Sequence, residues 1–397
     1  MISPPTQFSR GLPVRFQPEL DALRGMCIAA VFLTHTHFLD CGWVGVQAFF
    51  VLSGYLITGI LLESRETHGT AASFFGNFYA RRALRIFPVY FAYVAVTLII
   101  PSLMVSEPTA TVLHATSAQN LPYLLSYTVN VFEGFSSTLP LNPFYAHLWS
   151  LSIEEQFYLI WPLLVFFTTN RRLKQICVTL VAVGIIIRLL EYLWIDPPPA
   201  QRLIAGRFVY FFTPSQFDAF AFGALLNFRG DALIAKLLRL ATRWVPASVA
   251  LLGLVVLLLA QLAHEKIGLT SLGWSPFLPY FYASVWGYTL LDALFAVIIA
   301  NLHALPALAK NRFLQRLGRI SYGFYIFHYP TLWAAHEIFG IDERATSLGN
   351  LGTSALAFAV TWFLAEISFR YLETPFLNLK RHFASRPVAE VAQAAEA

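Results

Sequence analysis

Ten runs of about twenty apolar residues, near 22–41, 43–62, 86–105, 147–168, 175–195, 207–228, 245–263, 280–302, 320–340 and 350–371, take up most of this sequence. Each is long enough to cross the hydrocarbon core of a bilayer as a helix. With 57% hydrophobic and only 12% charged residues, the chain cannot cover itself with polar groups as a soluble domain does. Disorder, coiled coil and nucleic-acid binding are excluded on the same ground. The stretch 110–133 is also apolar overall, but it holds His114, Gln119, Asn120, Pro122, Asn130 and Glu133, and reads as an outer loop, partly re-entrant.

The net charge of +5 follows from where the basic residues fall. With the N-terminus in the cytoplasm and ten alternating spans, 20 of the 27 Lys and Arg lie on the inner side, among them Arg65, Arg81, Arg82, Arg85, Arg171, Lys236, Lys310 and Lys380. Only Arg202, Arg207, Lys266 and Arg344 fall outside, and Arg24, Arg188 and Arg370 lie within spans. This bias is the positive-inside pattern, and counting 110–133 as a span would invert it. The expectation is an all-α polytopic integral membrane protein of about ten transmembrane helices, with both termini cytoplasmic. Its residues 1–380 form a single domain, followed by a short polar tail over 381–397. Its partner is the lipid bilayer, and nucleic acid is not expected. The first apolar run lacks a small-residue cleavage site and reads as a retained helix. Cys27, Cys41 and Cys177 are too scattered for a disulfide framework or a zinc site, and no metal is expected.

Ionisable residues inside spans are rare and are candidates for function. Arg24 and His35 are eleven residues apart, which puts them within about 20° of one helix face and roughly 16 Å apart along the axis. His37 falls on roughly the opposite face. The plain alternative is a snorkelling arginine and a histidine that bridges two helices. In the fourth run, His147, Ser150, Glu154 and Tyr158 recur at i, i+3, i+7 and i+11 as one polar stripe, with Glu155 beside it, and packing alone explains such a stripe poorly. Asp218, Asp292 and His328 are single buried polar groups for which packing roles serve equally well. Arg188 and Glu191 are spaced to pair with each other, and Arg370 to pair with Glu366 and Glu373. Arg82 and Arg85 open the third run on the cytoplasmic side. They serve either as membrane anchors or as a phosphate site, for which the arginine fork is well suited.

A deep histidine, a carboxylate pair and arginines at the cytoplasmic mouth admit two classes of function. A proton-coupled transporter or flippase, of a glycan or acyl intermediate, would use His and Glu as a relay. An acyltransferase would hold an acyl-CoA on the arginines and use a histidine as general base on a hydroxyl. No phosphate-binding glycine loop with its lysine and no Gly-x-Ser-x-Gly elbow points elsewhere.

Several motifs carry a resemblance. Leu20-Asp21-Ala22-Leu23-Arg24-Gly25 with His35, Gly45-x-x-x-Phe49-Phe50-Val-Leu-Ser53-Gly54-Tyr55, and Arg82-x-x-Arg85-Ile-x-Pro88 come first. His147-x-Trp149-Ser150-Leu-x-x-Glu154-Glu155-Gln-Phe-Tyr158, Leu317-Gly318-x-Ile-Ser321-Tyr322 and Phe369-Arg370-Tyr-Leu-Glu373-x-Pro375-Phe376 follow. In this order, over roughly 17–380, the set is similar to the acyltransferase 3 family of bacterial membrane O-acyltransferases. The resemblance implies a ten-helix protein of the bacterial inner membrane. It would move an acyl group, usually acetyl from cytosolic acetyl-CoA, onto a hydroxyl of an extracytoplasmic polysaccharide, oligosaccharide or lipid-linked glycan. No permanently bound cofactor is implied, since acyl-CoA is a substrate.

Carried over, Arg24 and His35 are the central catalytic pair, with Glu154 and Ser150 in support. Arg82 and Arg85 face the CoA, and Ser53 and Gly54 form a packing or cofactor-binding element. His147, Trp149, Tyr158 and Asp218 are expected on the substrate side. The thioester would reach His35, acting as general base or acyl carrier, and Glu154 would orient His35 if the first and fourth helices are neighbours. Two departures stand out. Gln216 occupies the place where many members have an arginine ahead of the mid-span aspartate, and there is no C-terminal esterase-like domain. A single-component enzyme, or one with a separate polysaccharide-assembly or extracytoplasmic transferase partner, is therefore expected.

Overall fold

A computed structural model describes residues 17–67, 70–103, 107–135, 142–195, 208–262, 268–274, 283–341 and 348–383. Arg10, Arg15, Arg202, Arg207, Lys266, Arg344, Arg386 and most of the 381–397 tail, used above for orientation and extent, lie outside the described residues. Among those described there is no strand. Helix α1 (Pro18–His35) begins with proline in its first turn, where a missing N–H costs nothing, and sets Glu19 and Asp21 against its positive end. It stops at His35 because His37 takes a left-handed φ of 59° and turns the chain back. Helices α2 (Val44–Thr67) and α3 (Ala71–Leu103) follow.

The stretch expected to be a loop folds as two helices, α4 (Glu107–Leu125) and α5 (Val129–Phe135). Of its polar residues, Asn130 makes tertiary bonds, donating to the Phe211 carbonyl and Thr213, while Asn120 donates to the Thr116 carbonyl of its own helix. Asn142 donates to Thr116 and Ser117, Tyr90 donates to the Leu124 carbonyl, and Gln156 donates to the Tyr127 carbonyl and Asn130. Then come α6 (Trp149–Phe167) and α7 (Asn170–Ile195). The run 207–228 is not one helix. An extended Phe212 and a 3-10 turn over Thr213–Gln216, with Pro214 at its start, break it before α8 (Phe217–Leu225). The remaining elements are α9 (Ala232–Leu262), α10 (Tyr288–Ala300), α11 (Pro306–Lys310), α12 (Arg312–Arg319), α13 (Ser321–Phe339), α14 (Leu348–Ile367) and α15 (Thr374–Leu379).

Among the described residues, five helical stretches are long and apolar enough to cross a membrane: Asp40–Thr67, Ala71–Ile100, Asn170–Trp194, Ala232–Leu262 and Leu348–Leu379, with Val285–Ala300 a shorter apolar helix. On α9 the leucines Leu251, Leu254, Leu258 and Leu262 are exposed, as lipid contact requires. The remaining expected spans are short, broken or interrupted by ionisable residues.

Glycines set the closest crossings. A Cβ on Gly54 of α2 would lie 2.0 Å from the Phe220 carbonyl, and one on Gly223 of α8 would lie 1.9 Å from the Val51 carbonyl. Backbone therefore rests on backbone where α2 meets α8. Gly25 of α1 and Gly318 of α12 make a second such crossing, with Cβ positions 2.1 Å from the Leu314 carbonyl and 1.7 Å from the Asp21 carbonyl. Small residues that let helices approach this closely are the means of packing where lipid removes the hydrophobic drive between helices.

Polar contacts tie together the ends that an alternating topology brings to one side. Arg65 donates to the Val165 and Thr168 carbonyls and to Asn170, and Lys174 pairs with Asp231. At the other end Thr270 donates to Asp40 at 2.7 Å and Trp43 to the Trp274 carbonyl at 2.7 Å. With Cys27, Cys41 and Cys177 all buried, single surface cysteines can report orientation. A membrane-impermeant maleimide added to intact cells should label Leu269→Cys and spare Arg171→Cys, and inside-out vesicles should give the reverse. The opposite pattern would overturn the orientation read from the charges.

Candidate active site

A cavity of about 830 Å³ opens between α1, α2, α3, α6 and α13, with Lys380 at its rim beyond α15. Sequence positions far apart meet in it: Arg24 from α1, Ser53 from α2, Arg82 and Arg85 from α3, and Ser150, Glu154 and Tyr158 from the polar stripe of α6. Asp21, Arg81, Glu155, Tyr322, Tyr325 and Lys380, none of them among the expected site residues, line it too.

The cationic end has unspent charge. Arg24 is held by Asp21 at 3.0 Å, but Arg81, Arg82, Arg85 and Lys380 have no ion-pair partner among the described residues. Arg82 instead lies over the Tyr158 ring at 5.4 Å and the Phe78 ring at 5.8 Å, an arrangement that fixes the guanidinium and leaves its N–H groups free. Beside these cations the other polar groups are tightly bonded to one another. Ser53 donates to Glu154 at 2.8 Å and Tyr158 donates to its other oxygen at 3.3 Å. Tyr325 gives its hydroxyl hydrogen to the His147 carbonyl at 2.6 Å, so Ser150, also 2.6 Å away, donates to the Tyr325 oxygen. Gly54 does not reach the cavity and is spent on the crossing with α8.

His35 does not line the cavity. It belongs to an aromatic cluster just beyond Tyr325, with ring centres 5.3 Å from His328 and 4.8 Å from Tyr329. His147 joins from the start of α6, 5.3 Å from His328 and 5.6 Å from Tyr325. Tyr325 belongs to both groups, since its ring is 5.2 Å from His328. The expected contact between Glu154 and His35 is not made: Glu154 is occupied by Ser53 and Tyr158, and His35 faces α13. Among the described residues no three His, Cys, Asp or Glu side chains converge to hold a metal ion.

The other expected residues lie elsewhere. Trp149 packs on Phe50, Tyr210 and Phe211, outside the cavity. Asp218 is wholly buried in a fork-to-fork pair with Arg188, at 3.0 and 2.7 Å, and also accepts from Thr289 at 2.7 Å. The expected pairing of Arg188 with Glu191 is thereby corrected, because Glu191 accepts from Ser215 instead. Glu366, expected beside Arg370, pairs with Arg316, which α12 brings across to α14. Sequence spacing reports only neighbours on one helix, and these partners come from others. The signal for Tyr325 was present: Tyr322, Tyr325 and Tyr329 recur at i, i+3 and i+7 with His328 among them. Nothing in the sequence singled out Lys380.

A helical membrane protein with a cation-lined cavity leading to a histidine cluster is the class that these observations define. The family model described as an acyltransferase domain, acyltransferase 3, matches residues 17–366, and the chain belongs to this family. It is 28% identical to the peptidoglycan O-acetyltransferase OatA of Listeria monocytogenes, over 96% of this chain and 59% of that protein. It is also 28% identical to YrhL of Bacillus subtilis, provisionally named a peptidoglycan O-acetyltransferase, over 91% of this chain and 55% of that one. The chain thus spans under three-fifths of the length of these relatives. No solved structure matches it.

The buried Arg188–Asp218 pair is a stability element by its geometry. Asp218→Ala leaves an uncompensated buried charge and should cost about 3–5 kcal/mol, read as a lowered Tm in detergent. An unchanged Tm with a raised KM for the acceptor would return Asp218 to the substrate site.

Proposed function

We propose that this protein is an O-acetyltransferase of the bacterial inner membrane that takes an acetyl group from cytosolic acetyl-CoA and transfers it to a hydroxyl of an extracytoplasmic glycan. The observation that carries this reading is the cavity in which Arg24, Arg81, Arg82, Arg85 and Lys380 gather without enough carboxylate partners, and which reaches the Ser150–Tyr325 pair bordering the His35 cluster. Unpaired guanidinium groups suit the phosphates of a CoA. The roughly 16 Å from Arg24 to His35 along α1 is the span that the pantetheine arm would cover.

In this scheme His35 removes the proton of the acceptor hydroxyl, with Arg24 paired to it across the donor path. Glu154, held by Ser53 and Tyr158, shapes the donor cavity beside Arg82 and does not orient His35. His147 lies beside His35 on the acceptor side. Ten spans with both termini cytoplasmic put the arginines at the inner face. The names of the relatives make peptidoglycan the first acceptor to test. Residues 1–380 act as one transmembrane domain, with a separate extracytoplasmic partner to complete delivery where one is needed.

Inverted vesicles given radiolabelled acetyl-CoA should place base-labile label on glycan, and His35→Ala at matched expression should abolish it. Equal labelling in both would reduce His35 to packing; no labelling in either would favour transport over acylation. Arg82→Gln with Arg85→Gln should raise KM for acetyl-CoA at least tenfold, because charge-assisted hydrogen bonds are worth about 1.5–3 kcal/mol each. Burial, and then Arg85, Arg82 and Arg81, push the Lys380 ammonium down to about 7. Its charge is therefore present below neutral pH and lost above it. KM for acetyl-CoA should rise between pH 6 and 8, and Lys380→Arg should flatten that rise.

A further inference from the structure

The histidine cluster contains more acceptor capacity than the chain itself uses. Pro330 in α13 has no N–H, so the Ile326 carbonyl four residues before it loses its helical donor. His147 takes that carbonyl through Nε2 at 3.0 Å. His328 reaches the Tyr325 carbonyl through Nδ1 at 2.5 Å. A carbonyl can only accept, so both nitrogens carry the hydrogen, and the hydrogen-bond network assigns the tautomer of each ring.

The second nitrogen of each is then a bare lone pair. His328 Nε2 and His147 Nδ1 are both buried and without a partner. Two lone pairs cannot bond to one another, although the rings are only 5.3 Å apart. A donor has to come from a third group. His35 makes no hydrogen bond through its side chain among the described residues, and its ring centre is 5.3 Å from that of His328. Two imidazoles sharing an N–H···N bond have centres about 5 Å apart, so a small rotation of His35 closes the contact.

We propose, on the acyl-transfer reading above, that His328 is the positioning residue of His35: its Nε2 accepts the His35 N–H, fixes which His35 nitrogen faces the acceptor, and shares the proton that His35 removes. As the acceptor oxygen attacks the thioester carbonyl, its proton passes to His35, whose own N–H hydrogen shifts towards His328 Nε2. The C–S bond breaks, the departing thiolate takes the acceptor's proton from His35, and the shared hydrogen returns from His328 Nε2 to His35, so both rings end neutral. Pro330 is part of this arrangement, because the carbonyl it frees takes the only N–H of His147 and leaves that ring nothing to donate to His328.

The test is acetyl transfer in inverted vesicles with wild type, His35→Ala, His328→Gln and His328→Gly at matched membrane levels. His328→Gln can accept from His35 but cannot take a proton. It should lower kcat at least tenfold with KM for acetyl-CoA unchanged, and added imidazole should restore part of the activity of His328→Gly. If the glycine variant fails to reach the membrane, the glutamine variant decides alone. A kcat for His328→Gln within twofold of wild type, or a loss carried by KM, overturns the assignment while leaving acyl transfer standing. Absence of transfer by wild type overturns both.

Discussion

Backbone resting on backbone is the constraint on which the site depends. At the two tightest crossings the helices touch through glycine, Gly54 and Gly223 between α2 and α8, and Gly25 and Gly318 between α1 and α12. Each crossing lies one residue from a side chain of the cavity: Ser53 precedes Gly54, and Arg24 precedes Gly25. Lipid provides no hydrophobic drive between helices, so close van der Waals contact must hold them. A methyl group at any of these positions would push a cavity residue away with its helix.

Polar chemistry is divided among three places with different states of satisfaction. Around Arg188 and Asp218 most of the polar groups are paired, and the pair serves to join α7, α8 and α10. In the cavity the carboxylate Glu154 is satisfied, while Arg81, Arg82, Arg85 and Lys380 have no ion-pair partner among the described residues. In the histidine cluster it is acceptors that are left over, two buried lone pairs beside a histidine with an unspent N–H. A buried polar group without a partner is costly. Surplus donors in the cavity and surplus acceptors in the histidine cluster are the features on which the proposed substrate site and proton transfer rest. Tyr325 is the joint between the two, lining the cavity with its hydroxyl bonded to Ser150 and its ring against His328.

The parts of the site that were legible in the sequence are those on single helices. The α6 stripe of Ser150, Glu154 and Tyr158, with His147 in the 3-10 turn before it, and the Arg24–His35 spacing follow from helical periodicity, which local sequence specifies. Partners across helices were not legible. Arg188 chose Asp218 over Glu191 three residues away, and Arg316 took Glu366 from Arg370. The same limit explains α5, whose Asn130 looked like a loop residue until Gln156 of α6 and Thr213 were in place beside it.

The sequence by itself determined that the chain is helical, apolar and bound to a membrane, and that it carries the motifs of its family. Those follow from composition, period and charge placement, which need no knowledge of neighbours. Only the tertiary structure decided that Arg24 and His35, on one face of one helix, serve different rooms, and that Glu154 belongs with Ser53 and Tyr158 and not with His35. It also decided that a proline in α13 sets the tautomer of a histidine on another helix. Hydrogen-bond partners are chosen by distances of about 3 Å in space, and spacing along a chain does not encode them.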